Sequence, residues 1–221
     1  MAWVKYQEME KMKLKGLMRI LAMSFIMAHS AISNADIYQL QQNLFVAGIQ
    51  SGEFDYFASP NKNGRQRQAN WCWAASIQMV LNYHGLYVSQ EQVVQKIYGG
   101  QIDQPANSNQ ILNALTGWAP DNRGRSSSIY AKPYTSSGRE LVQALANKWP
   151  LIVGLRNPNG GIGHAVVLTA VYYSVDQFNN PILNGVVLRD PWPGSPSRQK
   201  LSWNEFQSRL MFMTQVYVER L

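Results

Sequence analysis

The sequence predicts an α+β fold, with helices in the first half of the chain and an antiparallel sheet in the second. Between residues 70 and 115, apolar and small side chains recur at three- and four-residue spacing, which is the period of a helix. After Pro150 the apolar residues fall into short runs bounded by Gly, Pro and Asn, as they do in strands. Because helices and strands do not alternate, strand–helix–strand units and a parallel sheet are not expected.

Length and composition are those of a globular protein. The chain has 221 residues, of which 46% are hydrophobic and 15% charged, so it can bury a core of its own. Its formal charge is +7, but residues 1–35 carry five basic and two acidic side chains, leaving +4 on the remainder. Only Lys62, Arg65 and Arg67 form a tight basic group. Nucleic-acid-binding proteins concentrate positive charge on one face, so no nucleic-acid partner is expected.

The first 35 residues have the order of a signal peptide. Basic residues precede the apolar run at residues 20–27, and a segment of small residues then ends at Ala35. We expect cleavage after Ala35, which leaves a single domain of residues 36–221 in a secreted or periplasmic protein. The apolar run is shorter than the roughly 20 residues that span a bilayer, so no stable span is expected after cleavage. An uncleaved anchor embedded in lipid is the alternative.

The elements of the first half follow from local patterns. Residues 36–60 alternate apolar and aromatic side chains and are expected to form a leading strand or extended segment, followed by a polar loop at residues 61–68. A helix is predicted from Asn70, its N-cap, to a stop at Gly85.

Further helices follow. Ser89 and Gln92 have the spacing of a capping box for a second helix, and a third is predicted over residues 108–115. Residues 119–137 are rich in Pro, Gly, Ser and Arg, which indicates a surface loop or a connection between lobes. An amphipathic helix should follow Gly138.

The second half switches to strands after Pro150. A short helix over residues 203–210 and a last strand over residues 212–218 are predicted to close the chain. The strands before them are predicted at residues 151–156, 164–173 and 185–190.

Cys72 is the only cysteine of the chain, and it lies in the part that we expect to be exported. It therefore cannot form an internal disulfide. It occupies the second position of the helix predicted from Asn70, where the free N–H groups and the helix dipole stabilise a thiolate. This position favours a nucleophile, although a buried inert cysteine is the alternative.

A thiolate nucleophile needs a base, and two histidines follow Cys72. His84 lies twelve residues further along the same predicted helix, roughly 18 Å away at 1.5 Å per residue, so it is expected to be a surface or packing residue. His164 begins an apolar strand directly after a glycine-rich segment, where its ring can project at a sheet edge. We therefore expect His164 to be the base.

Asp190 is the candidate for the residue that orients the histidine. It ends the strand that follows His164 in a hairpin, so both residues should lie at the same edge of the sheet. Asp176 is the competitor, but it falls in the turn at the far end of that hairpin. The alternative for Asp190 is a turn-forming role in the sequence Asp-Pro-Trp-Pro-Gly.

The motifs NWCWAAS, GHAVVL and RDPWPG, in this order, resemble the papain-like cysteine peptidase superfamily, in particular bacterial members such as double-glycine leader peptidases and effector proteases. The resemblance implies a papain-like fold, with the cysteine at a helix N-terminus packed against the sheet that carries His and Asp. It also implies that Gln66, six residues before Cys72, donates to the oxyanion, with Gln68 as a rival. Trp192 is similar to the papain-type tryptophan that covers the His–Asp hydrogen bond.

The expected activity is peptide-bond hydrolysis through a Cys–His–Asp triad and an acyl-thioester intermediate, with a peptide or protein as substrate. A transglutaminase-like acyl transferase would use the same triad, and a catalytically silent peptide-binding module is the alternative from another class. No cofactor or metal is expected, because the sequence lacks chelating patterns such as HExxH or CxxC. The sequence carries no signal for an oligomeric state.

Overall fold

The computed structural model describes residues 36–59, 64–121, 123–135, 138–157, 160 and 163–220, without the side chains of Trp118 and Arg220. The predicted signal peptide and its cleavage after Ala35 lie outside these residues. No helix in the described part of the chain is long and apolar enough to cross a membrane.

Helices and strands are numbered in chain order within the described residues. The helices are α1 (Ser51–Asp55), α2 (Cys72–Tyr83), α3 (Gln90–Tyr98), α4 (Ser108–Ala114), α5 (Gly138–Ala146) and α6 (Trp203–Arg209). The strands are β1 (Ile37–Gln41), β2 (Leu44–Gly48), β3 (Gly117–Pro120), β4 (Ser126–Pro133), β5 (Leu151–Leu155), β6 (His164–Val175), β7 (Pro181–Arg189), β8 (Arg198–Ser202) and β9 (Leu210–Arg220).

The described strands form one sheet in which every pair is antiparallel, in the order β1-β2-β6-β5-β9-β4-β3. Strand β7 pairs with β6 and with β8 to complete it. The long strand β6 therefore pairs with β5 near its start, with β2 further along, and with β7. The predicted α+β class with an antiparallel sheet is confirmed.

Helices cover both faces of the sheet. Along β5, Ile152 packs in the core formed with α2, α3 and α4, whereas Leu151 and Val153 pack in a second core with α5 and α6. Successive side chains of a strand point to opposite faces, so this alternation separates two apolar layers. All five residues of β5 are buried as a result.

Helix α2 is the central helix, and its residues 73–81 are buried without interruption. Its start differs from the prediction, since Trp71 and not Asn70 is the N-cap and provides no side-chain cap. Asn70 instead donates its backbone N–H to the carboxylate of Asp103 at 2.8 Å. The contact with a loop 33 residues away replaces the expected cap.

One prediction for a polar segment is wrong, and one polar strand was missed. Residues 119–137 contain β4 and the end of β3, and β4 pairs along β9. The polar composition hides the strand because only alternate residues such as Ser127 and Ile129 are buried. Strand β8 was not expected for the same reason, since its burial alternates and it pairs only with β7 among the described strands.

Two further regions agree with the predictions at least in part. Ser89 and Gln92 form the predicted capping box at the start of α3, with both reciprocal hydrogen bonds present. The extended segment predicted over residues 36–60 contains the hairpin of β1 and β2, followed by the short helix α1, which was not expected.

Candidate active site

Cys72 is the first residue of α2 and is partly buried. Its Sγ accepts the backbone N–H of Ala165 at 3.5 Å, which joins the helix to the start of β6. The flanking indoles of Trp71 and Trp73 donate to carbonyls of the loop at residues 101–107, to Ile102 at 2.9 Å and Gln104 at 3.1 Å. The two tryptophans therefore hold the loop that forms one wall beside the thiol.

His164 begins β6 and contacts both other members of the predicted triad. Its Nε2 lies 2.6 Å from Oδ1 of Asp190, and its ring interacts with the Cys72 side chain, whose Sγ accepts the N–H of the next residue, Ala165. Because Nε2 faces the carboxylate, Nδ1 is the nitrogen left for the sulfur. The three side chains are therefore neighbours in one cavity.

Electrostatics favour the protonated form of His164. Burial by itself lowers the pKa of the ring, but hydrogen bonds and charge interactions with Asp190 and Cys72 outweigh it and raise the pKa from 6.5 to about 9. These interactions therefore favour the imidazolium form of His164 at neutral pH.

The strand register explains why Asp190 meets His164. In the β6–β7 ladder, Val167 pairs with Arg189, the last residue of β7. Continuing this antiparallel register by one residue places Asp190 opposite Val166, diagonal to His164 and on the same face. The hairpin thus delivers a carboxylate to the far side of the imidazole.

Both carboxylate oxygens of Asp190 accept hydrogen bonds. Oδ1 accepts the backbone N–H of Trp192 at 2.8 Å in addition to the His164 contact, and Oδ2 accepts Nε2 of Gln199 at 2.6 Å. The carboxylate is buried and faces only donors among these partners. Gln199 was not identified from the sequence, because the strand β8 that carries it was not recognised.

Gln66 is buried in the loop before α2, and its amide donates to the carbonyls of Gln68 at 3.0 Å and Ala69 at 2.8 Å. Its Oε1 has no hydrogen-bond partner among the described residues. The described residues that line the cleft beside Cys72 include Ala69 but not Gln66 or Gln68. The oxyanion role of Gln66 therefore stays a prediction, and it requires the amide to turn.

Trp192 lies on the wall of the cavity that also contains His164 and Asp190, and 45% of it is exposed. Its backbone supports the carboxylate, as described above, while its indole packs over Gly194. Shielding of the His164–Asp190 contact by the indole stays a prediction.

The other two candidates lie away from these residues. His84 is the C-cap of α2, at the opposite end from Cys72. Asp176 accepts the backbone N–H groups of Phe178 and Asn180, each at 2.8 Å, and so stabilises the turn between β6 and β7.

Two cavities meet at Cys72 and His164. The first has a volume of about 370 Å³ and walls that are polar and apolar in similar measure, with polar residues that include Asn70, Asn157, Asp190, Ser195 and Arg209. The second has a volume of about 260 Å³ and mainly apolar walls that include Trp73, Ile111, Ala165, Met211 and Phe212. Both border Cys72 and His164, so together they form one cleft beside the thiol. The described residues contain no cluster of three or more His, Cys, Asp or Glu side chains that could hold a metal.

Comparison with known proteins gives a family match and a group of similar solved structures, two of which are given below. A family model described as papain-like cysteine protease AvrRpt2 matches residues 56–211. A double-glycine-motif protease from an AMS/PCAT transporter, solved in complex with the leader peptide, is 20% identical with a TM-score of 0.43, covering 71% of this chain and 89% of that chain. The peptidase domain of Streptococcus ComA, a bi-functional ABC transporter of a quorum-sensing pathway, is 14% identical with a TM-score of 0.47, covering 71% and 96%. No curated protein matches the chain.

The matched region is more than half of the chain and contains Cys72, His164 and Asp190. The chain therefore belongs to the family of papain-like cysteine proteases described by AvrRpt2, and it is a cysteine peptidase.

Proposed function

We propose that the protein hydrolyses peptide bonds with Cys72 as nucleophile, His164 as acid and base, and Asp190 as the group that orients the imidazole. The observation that carries this proposal is the position of His164, whose Nε2 lies 2.6 Å from the Asp190 carboxylate and which borders the same cavity as Cys72, whose Sγ accepts the N–H of the adjacent Ala165. Nucleophile, base and orienting group are the three roles that thiol acyl transfer requires.

The reaction proceeds in two steps. The Cys72 thiolate forms a bond to the carbonyl carbon of the substrate, and the imidazolium of His164 gives its proton to the leaving amine as the C–N bond breaks. Neutral His164 then takes a proton from water, whose oxygen attacks the acyl thioester. The C–S bond then breaks, the acid product leaves, and Cys72 is again a thiolate beside protonated His164.

The first turn of α2 supports the oxyanion of the tetrahedral intermediate. The first N–H groups of a helix have no partner within the helix, and the side chain of the N-cap Trp71 does not accept from them. We assign the backbone N–H of Cys72 as one donor. Gln66 is the proposed second donor, after its amide turns from the carbonyls of Gln68 and Ala69 toward the cleft.

The proposed substrate is a peptide or protein segment bound in extended form along the cleft. The mixed cavity and the apolar cavity both border the thiol, and each can take a side chain. The signal-peptide pattern of residues 1–35 supports a secreted or periplasmic location.

Alkylation by iodoacetamide between pH 4 and 9, followed by intact mass, tests the activated thiol. Because a free thiol has a pKa of about 8.5, an unactivated cysteine reacts slowly below pH 7. We expect rapid modification there, absent in Cys72→Ala and slowed to free-thiol behaviour in His164→Ala. Digestion of fluorescein-labelled casein should be lost in both variants. A pH profile like that of a free thiol, without casein digestion, would instead identify a binding module.

A further inference from the structure

Arg65 is a buried guanidinium directly behind the acid of the proposed triad. Its Nη1 donates to the backbone carbonyl of Asp190 and its Nη2 to that of Ser195, each at 2.7 Å, and only 9% of the residue is exposed. The described ion pairs include no carboxylate partner for it. A buried guanidinium whose hydrogen-bond acceptors are neutral carbonyls costs free energy. Because it is not a surface ion pair, its position needs another explanation.

The two ends of this contact belong to two different walls of the active site. Arg65 lies in the segment that leads into Cys72, and its acceptors lie in the segment that follows β7. The backbone N–H of Gln66 adds a parallel bond to the carbonyl of Pro191 at 2.9 Å. Arg65 therefore ties the segment that carries the nucleophile to the segment that carries Asp190.

Arg65 is itself held in place by a buried amide at the start of α3. Nε2 of Gln90 donates to the Arg65 carbonyl at 2.8 Å and to Oε1 of Gln78, on α2, at 2.9 Å. Oε1 of Gln90 accepts the backbone N–H of Arg67 at 3.1 Å, and Gln90 is almost completely buried. The backbone that carries Arg65 is thus fixed from the helical side of the molecule.

We propose that Arg65 is a positioning residue of the peptidase, which fixes Asp190 against His164 by clamping the backbone carbonyls of Asp190 and Ser195. The inference rests on the proposed triad and adds to it a residue that touches neither substrate nor thiol. A fork of two charge-assisted hydrogen bonds fixes both distance and orientation of the clamped backbone. Since the Asp190 carboxylate is attached to the same backbone, its 2.6 Å contact with His164 depends on that clamp.

Three variants separate positioning from a general contribution to folding. Arg65→Met removes the fork at similar length, and Arg65→Lys keeps the charge but cannot bind both carbonyls in the same geometry. Arg67→Met is the matched control, because Arg67 lies in the same segment with a half-exposed side chain paired to Glu91 at 2.5 Å. Each variant is compared with wild type in thermal unfolding, in digestion of fluorescein-labelled casein, and in an NMR titration of His164.

The sign of the change in the His164 pKa discriminates between two explanations. The groups that face the ring are Cys72 and Asp190, and Arg209 lines the same cavity. Loss of the positive charge of Arg65 alone would raise the pKa of His164, whereas loss of the Asp190 contact lowers it from about 9. We expect a lower pKa in Arg65→Met, with kcat reduced about 10- to 100-fold and little change in KM.

Arg65→Lys should show smaller decreases in kcat and in the His164 pKa. Arg67→Met should have the kcat and the His164 pKa of wild type. A further variant, Arg65→Ala, leaves space where the guanidinium was. Millimolar guanidinium in solution should occupy this space and partly restore casein digestion. A folded Arg65→Met or Arg65→Lys enzyme with wild-type kcat and an unchanged His164 pKa would overturn the inference while leaving the triad intact. Casein digestion by Cys72→Ala would instead remove the proposed function itself, so the two failures are distinguishable.

Discussion

Replacing Asp190 by alanine tests how much of the imidazolium depends on this carboxylate. The rise of the His164 pKa from 6.5 to about 9 corresponds to about 3 kcal/mol in favour of the charged ring. Asp190 and Cys72 share this effect, so Asp190→Ala should lower the pKa of His164. Without an orienting acceptor on Nε2, kcat should fall about 10²- to 10⁴-fold.

Asp190→Asn removes the charge but can keep the hydrogen bond. The asparagine oxygen can still accept from His164 and from the Trp192 N–H, while its amide faces Gln199. The Gln199 amide must then turn over to present its oxygen, because two N–H groups would otherwise face each other. This variant should therefore lose less activity than Asp190→Ala while still lowering the His164 pKa.

The pH dependence follows from the same group. Protonated His164 donates to the leaving amine, so wild-type activity should decline as pH rises through about 9. In Asp190→Ala this decline should move to lower pH. NMR titration of the imidazole signals is practical because the chain has three histidines, and His84→Gln assigns one of them. A His164 pKa that stays near 9 in Asp190→Ala would refute the reasoning.

Three further predictions concern the oxyanion, the apolar cavity and a helix start. Gln66→Ala should lower kcat on labelled casein about 10²- to 10³-fold with KM little changed, and full activity would leave the oxyanion to backbone N–H groups alone. Gly154→Ala would place a Cβ 2.1 Å from Cε1 of Phe212, so urea denaturation should show a loss of about 1–3 kcal/mol. Gly52→Ala is its control, since nothing lies within 4 Å of the added carbon, and equal losses in both variants would contradict the packing argument. Ser89→Ala removes the side-chain acceptor of the Gln92 N–H and should cost about 1 kcal/mol in the same assay, whereas an unchanged midpoint would show that the cap is dispensable.

Local patterns were sufficient to predict most of the elements that build the site. The three- and four-residue period before Gly85 predicted the helix that begins with Cys72, and the apolar runs after Pro150 predicted β5, β6 and β7. The hairpin between β6 and β7 then placed His164 and Asp190 at one edge of the sheet. These inferences succeed because helix and strand periods, and the return of a hairpin, are properties of consecutive residues.

Polar segments and long-range partners were decided by the tertiary structure. Strand β4 pairs with β9, and strand β8 pairs with β7. Their polar sequences carry no strand pattern of their own, so only this pairing shows that they are strands. The clamp from Arg65 to the Asp190 carbonyl joins residues 125 positions apart. No local period encodes a hydrogen bond across such a separation, because its acceptor exists only after both segments have packed on the sheet. The sequence by itself therefore determined the helix and the strands that carry the candidate residues, while the packed chain decided which residues hold them in place.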